Sequence, residues 1–269
     1  MHAIRPAAVA GTFYPGSAEA LTRQVADLIA GAAAAETATL PKAVIVPHAG
    51  YVYSGPIAAS AYALVQRGRA IYRRVVLLGP VHRVPVRGLA TAGVEGFETP
   101  LGTVPIAAEA LATLEGLPQV VESVPAHAWE HSLEVQLPFL QQVLDKFTLV
   151  PLAVGDATAE EVAEVLDALW DGPETLIVIS SDLSHFLPYA EAQLQDAATV
   201  RAILDMAGPI DHEQACGGTP VSGLLLAARR RGLKPTLLDL RNSGDTAGDH
   251  SRVVGYASFA FTEEHSHAA

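Results

Sequence analysis

Apolar and polar positions along this chain follow two alternating periods. In "SAEALTRQVADLIAG", Leu21, Val25, Leu28 and Ile29 recur at helical spacing, with Ser17 placed as N-cap and Gly31 just past the end. "KAVIVP" is the unbroken apolar run of a strand buried on both faces. "PIAASAYALVQRG" predicts a small-residue helix that closes at Gly68, and "RRVVLLGPVH" predicts a second strand. The middle is less regular. "FETPLGTVPI" is extended chain with turn punctuation, "AAEALATLEG" a short helix, and "SLEVQLPFLQQVL" a helix that Pro138 bends or breaks. Alternation then resumes: strand "FTLVPLAVG", helix "TAEEVAEVLDALWDG", strand "ETLIVISSDLSH", and a helix over 189–205. "TPVSGLLLAARRRG" is a helix with its arginines in the last turn, where the macrodipole favours them. "KPTLLDLRN" and "RVVGYASFAF" close the chain as strands. "AAAAETATLP" predicts an exposed connection and "TEEHSHAA" (262–269) a frayed tail.

This alternation predicts an α/β fold: one domain over 1–269, with a mostly parallel or mixed central sheet flanked by helices on both faces. No internal repeat and no domain linker interrupts it. Half of the residues are hydrophobic, enough for a large core. The net charge of −12 disfavours a nucleic acid partner or an anionic membrane surface, because phosphate contacts require the opposite sign. The single cysteine, Cys216, excludes an intrachain disulfide. No apolar run approaches the roughly 18 residues of a membrane span, and the N-terminal stretch lacks the apolar core of a signal peptide. A cytoplasmic protein is expected.

In open α/β sheets the ligand site lies beyond the carboxyl ends of the strands. Three predicted strands discharge chemistry there: "AVIVPHAG" delivers His48, "VVLLGPVHR" delivers His82, and "LIVISSDLSH" delivers Asp182 and His185. One such histidine is commonly incidental. Three of them on one rim point to metal ligands or acid–base groups. "HAWEHSLE" adds His127, Glu130, His131 and Glu134; on one helix His127 and His131 would share a face. It is not a zincin motif, because Ala128 stands where that motif has Glu. Cys216 precedes a helix predicted to begin near Thr219 or Pro220, a position that lowers a thiol pKa, although a lone cysteine is also a common small core residue. Gly217 and Gly218 behind it imply a close backbone approach. Asp245, Asp249 and His250 sit in a Gly-rich loop of ordinary turn composition.

Taken together, "RPAAVAGTFYP", "VPHAGYVYSGPIAASAY", "LLGPVHR", "ETPLGTVPI", "EHSLEVQLPFLQ", "SSDLSH", "ACGGTPV" and "GDHSRVVGYASFAF" resemble the Memo family, whose prokaryotic members are called AmmeMemoRadiSam system protein B. The resemblance covers about 4–261. It implies a fold similar to the class III extradiol (LigB-type) non-haem iron dioxygenases, in which two histidines and a carboxylate bind Fe(II). Carried over, the histidine ligands fall on His48 and His82, and the carboxylate position falls on Cys216. His185 takes the place of a basic histidine, and His131 resembles a further acid–base histidine. A thiolate at Cys216 is softer than a carboxylate, so copper or zinc also fit alongside Fe(II). The resemblance further implies association with a radical S-adenosylmethionine protein and, in animals, binding of phosphotyrosine peptides.

Three readings follow. The first is metal-dependent redox chemistry on a small, possibly aromatic substrate. Asp182 orients a histidine, His131 and His185 move protons, and Tyr51 and Tyr53 line the mouth unless they simply pack. The second is a non-catalytic metal- or peptide-binding scaffold, for which Arg83, Arg87, Arg241 and Arg252 are the few basic groups available. The third is a zinc-dependent hydrolase on His48, His82 and His185.

Overall fold

A computed structural model describes residues 3–32 and 39–263 of the chain. Most of the expected connection after the first helix, and 264–269 of the expected tail, fall outside the described residues. Thr262 and Glu263 of that tail belong to the last strand.

Strands are numbered in chain order. β1 (Ile4–Arg5), β5 (Gly96–Thr99) and β6 (Gly102–Pro105) form a small three-stranded sheet, in which "FETPLGTVPI" is the β5–β6 hairpin. The remaining strands are β2 (Ala43–Val46), β3 (Arg74–Pro80), β4 (Leu89–Thr91), β7 (Val120–Glu122), β8 (Thr148–Val154), β9 (Thr175–Ser180), β10 (His185–Leu187), β11 (Leu233–Asn242) and β12 (Val253–Glu263). They make a mixed nine-stranded sheet in the order β10-β12-β2-β9-β3-β8-β4-β7, with β11 antiparallel to β12. The centre, β2-β9-β3-β8, is parallel throughout.

Alternation in those central strands builds two cores. Ala43, Ile45, Val76, Leu78, Ile177 and Ile179 face the helices Ala159–Ala168 and Gly218–Arg230. Val44, Val46, Val75, Leu77, Leu176 and Val178 face the helices Ala18–Gly31, Tyr51–Gln66 and Leu137–Val143. Unbroken apolar runs are what a sheet covered on both faces requires.

Two helix expectations change. The second helix begins at Tyr51, five residues before Pro56. Its first turn is fastened from outside: the Tyr51 N–H donates to Phe13 O (2.8 Å), and the buried Tyr51 ring packs on Tyr14 and Phe139. Tertiary burial thus overrides the proline, which falls one turn after the exposed Val52. Pro138 breaks nothing. A short 3-10 turn, Glu134–Gln136, precedes it, and Pro138 sits in the first turn of Leu137–Val143, where no backbone donor is needed.

Candidate metal centre

Register brings the site together. Val46 pairs with Ser180, and Ile179 pairs with Leu78, so β2, β9 and β3 end close to one level. His48 and His82 lie two residues beyond β2 and β3, and Asp182 two beyond β9. The segment 130–136 is laced across these ends. Ser132 Oγ donates to Pro80 O (2.8 Å), and Gln136 Nε2 donates to Pro47 O (2.9 Å) and to Ser180 Oγ (2.7 Å). The approach is so close that a Cβ on Gly79 would stand 2.9 Å from Ser132 Oγ. Across the rim, a Cβ on Gly217 would meet Ser181 Cβ at 2.7 Å, which explains the glycine that follows Cys216.

The nitrogen ligand atoms of His48, His82 and His131 all lie within 4.8 Å of one another. Hydrogen bonding fixes how they present themselves. The Ser180 hydroxyl donates to Ser132 O (2.6 Å) and accepts from Gln136, so its 2.9 Å contact with His48 Nδ1 is one that it accepts. His48 therefore carries its proton on Nδ1 and a lone pair on Nε2. Glu130 does the same for the His82 ring and stands beside the His131 ring. Its Oε1 lies 2.9 Å from His82 Nδ1 and 3.3 Å from His131 Nδ1. The same carboxylate accepts the backbone N–H groups of His82 (2.6 Å), His131 (2.9 Å) and Ser132 (3.0 Å).

Burial alone would push the Glu130 carboxyl up, but the His82 ring hydrogen bond and the backbone N–H groups bring it down to about 2. It is an ionised acceptor, with the His82 imidazole as donor. Burial lowers the His48 pKa to about 3 and the His131 pKa to about 4, with neighbouring histidines adding to each shift. Both imidazoles are neutral at pH 7, the form that ligates a metal. His48 and His82, each held through Nδ1, and His131 beside Glu130 gather their ligand atoms closely enough to fit a transition ion.

Cys216 Sγ lies 3.4 Å from His48 Nε2 and accepts from Asp182 N–H at 3.3 Å. The expected lowering of its pKa does not occur. Burial, reinforced by the Asp182 charge, pushes the thiol up to about 12, and the helix start at Gly218 does not offset this. The sulfur keeps its proton and donates to His48. A cavity of about 480 Å³ opens beside the cluster, lined by His82, His185, Leu187, Gln195, His212, Glu213 and Cys216. His185 thus shares a wall with His82 and Cys216.

The other candidate residues stand as follows. The third member of the tight histidine set is His131, with Cys216 beside His48 alone. Asp182 orients no ring: it is buried, and its Oδ1 accepts the His48 backbone N–H at 2.7 Å. The orienting groups are Glu130 and Ser180. Glu130 was recognisable as the carboxylate flanking His131, but nothing in the spacing tied it to His82. Tyr51 lies in the core with its hydroxyl on Val135 O (2.7 Å), and Tyr53, half exposed on the same helix, is not among the residues lining the cavity. His127 and His131 share no helix face, because the helix Val124–Ala128 ends between them.

A family model described as "Memo-like protein" matches residues 5–260. The chain belongs to the Memo family. A MEMO1 family protein of Aquifex aeolicus is 37% identical over 96% of this chain and 99% of its own. Another, from Methanopyrus kandleri, is 36% identical over 96% and 98%. Among solved structures, an uncharacterized protein of Escherichia coli K12 aligns with a TM-score of 0.50 and 16% identity over 81% of this chain and 98% of its own, a likeness of fold. Among the described residues of this Memo-family chain, no helix is long and apolar enough to cross a membrane.

Proposed function

We propose that this Memo-family protein is a metal-dependent oxidoreductase acting on a small polar organic molecule. His48, His82 and His131 hold the ion, with the Cys216 sulfur as a fourth donor. The observation that carries this reading is the set of three ligand nitrogens within 4.8 Å of one another, beside a cavity lined by His82, His185 and Cys216. Imidazole and thiolate together suit Fe(II), copper or zinc, and Fe(II) is the ion proposed for redox work. Such an ion supplies electron exchange with the substrate and an oxidant. The protein supplies the rest. Glu130 and Ser180 aim the three rings, and loss of the Cys216 proton accompanies ligation. His185 faces the cavity as proton acceptor, and Gln195, His212 and Glu213 give the substrate a polar wall.

The test is anaerobic loading with Fe(II), Cu or Zn, metal analysis, and then O2 uptake with small hydroxylated aromatics. Co(II) loading should give a sulfur-to-cobalt charge-transfer band that Cys216→Ser removes. Bound Fe(II) without O2 uptake on any substrate would remove the redox reading.

A zinc hydrolase is the second reading, favoured by the absence of a carboxylate from the tight set of ligand atoms, since three histidines make a catalytic zinc site. Zn-dependent hydrolysis indifferent to O2 would select it. An anionic-peptide scaffold has less support. Arg87 is engaged by Glu161, and Arg241 by Asp239.

A further inference from the structure

His48 and His82 are each steadied by a hydrogen bond through Nδ1, to Ser180 Oγ and to Glu130 Oε1. His131 is not. Its Nδ1 lies 3.3 Å from Glu130 Oε1, a charge contact, and no hydrogen bond reaches either of its ring nitrogens among the described residues. A ligand imidazole ordinarily gives its second nitrogen to an acceptor that sets the plane of the ring. Here other rings crowd that plane. His82 stacks on His131 with centroids 4.6 Å apart and 29° between planes, and His48 meets it edge-on at 5.4 Å. Phe13 lies against it at 4.8 Å and 48°. His48 and His82 belong to the cluster themselves. Phe13 is the contact that comes from outside it.

The backbone at Phe13 is pinned on both sides. It stands in a turn closed by Gly11 N–H to Tyr14 O (2.7 Å), Thr12 N–H to Val9 O (3.1 Å) and Phe13 N–H to Val9 O (2.9 Å). Gly11 takes φ +82°, the left-handed region that favours glycine. Phe13 O accepts the Tyr51 N–H (2.8 Å), which ties the turn to the helix that follows His48. The turn is also tied to the segment that carries His131. Glu134, one helical turn beyond that histidine, accepts from Ala8 N–H (2.8 Å), Val9 N–H (3.0 Å) and the Tyr14 hydroxyl (2.6 Å). None of these bonds uses the Phe13 side chain. They fix where residue 13 stands and leave its ring half-buried, packed on the core around Tyr51 and against His131.

We propose that Phe13 is a positioning residue of the histidine cluster: its ring, carried on a pinned turn, holds the His131 imidazole against His82. A ring nitrogen of His131 thereby stays within reach of the other two ligand atoms before any ion arrives. The consequence for metal affinity rests on the metal-binding reading above, but the ring contact belongs to the metal-free protein as well. Leucine at this position keeps the turn and fills apolar volume. It offers no aromatic face or edge, so the His131 ring gains rotational freedom about χ2 that an ion would then have to remove.

The test compares Phe13→Leu with Phe13→Tyr, which keeps the ring. In metal-free protein, NMR cross-relaxation between the His131 and His82 ring protons should be clear in the unmodified chain and in Phe13→Tyr. It should weaken about twofold or more in Phe13→Leu, while the His48–His82 signal stays. Zinc and Co(II) affinity, read by chelator competition, should fall about two- to tenfold in Phe13→Leu and stay within about twofold in Phe13→Tyr. A merely structural role would weaken both ring pairs together, or would show only as a lower denaturation midpoint. Circular dichroism confirms the fold, and Phe13→Met replaces Phe13→Leu if that variant does not fold. An undiminished His131–His82 signal in the folded variant, equal loss of both ring signals, equal losses in Phe13→Tyr and Phe13→Leu, or unchanged metal affinity would each overturn the proposal. If the unmodified chain binds neither ion, the metal-binding reading falls, and the cross-relaxation result alone decides the role of Phe13.

Discussion

Glu130→Gln is the most discriminating change at the histidine cluster. One carboxylate accepts from the His82 ring and three backbone donors and stands 3.3 Å from the His131 ring. Glutamine keeps the volume and one acceptor but turns the other oxygen into a donor. If its NH2 replaced Oε1, it would confront the His82 ring and the N–H groups of His131 and Ser132. It therefore takes the place of Oε2 and confronts only the His82 N–H. That loss of one buried pairing costs about 1–3 kcal/mol of stability. The larger consequence is for metal. With no charge behind them, the His82 and His131 rings lose orientation and basicity, and removing such a supporting partner typically lowers metal affinity about 10–100-fold. The assay is competition for Co(II) or Zn(II) against a chelator of known affinity, with circular dichroism to confirm the fold. Affinity within twofold of the unmodified protein, in a folded variant, would refute the view that Glu130 presents these imidazoles to an ion.

Three further predictions rest on separate observations. In metal-free protein, Cys216 should react with iodoacetamide far more slowly than an ordinary thiol. At about 12 against an ordinary 9.0, its thiolate fraction at pH 7 is about a thousandfold smaller, and rapid labelling of folded protein would contradict this. The His127 pKa is depressed to about 4 from 6.5, so the neutral ring's contribution is complete above pH 6.5 and is lost as pH falls towards 4. It amounts to about 3 kcal/mol. Denaturation midpoints should fall across that window, and fall less in His127→Gln; identical profiles would refute it. Glu134→Ala strips the buried Arg5 guanidinium of its partner and removes acceptors from Ala8 N, Val9 N and the Tyr14 hydroxyl. Urea unfolding should show a loss of about 3–5 kcal/mol with an unchanged slope, and a loss under 1 kcal/mol would be incompatible with that network.

The parts of this molecule that sequence pattern reveals are those governed by local periodicity. The parallel strands β2, β3, β8 and β9 are continuous apolar runs, and the helices Ala18–Gly31 and Ala159–Ala168 carry one apolar face behind a Ser or Thr cap. From there the strand-end rule reaches His48, His82 and Asp182, because parallel neighbours ending together require only that each strand be found. Other features depend on contacts far apart in the chain. Helix Tyr51–Gln66 starts early because Phe13, Tyr14 and Phe139 bury Tyr51, and the same burial removes that ring from any ligand site. No periodicity in "VYSGP" encodes it.

His131 illustrates the same limit from the other side. Its segment has neither strand nor helix period at that point, so no pattern places it over β3. What places it is a set of polar ties: Ser132 to Pro80, Gln136 to Pro47 and Ser180, and the gap left by the bare Cα of Gly79. Those ties involve the side chains that also fix the imidazole tautomers. Folding the segment onto the sheet and preparing the nitrogens for an ion are therefore one event. Substitutions that loosen the lacing, Ser180→Ala among them, should weaken metal binding without touching a ligand, since His48 Nδ1 would lose the acceptor that holds its lone pair on Nε2. A Ser180→Ala protein that folds and binds metal as tightly as the unmodified chain would separate the two roles and break the link drawn here between segment docking and tautomer choice.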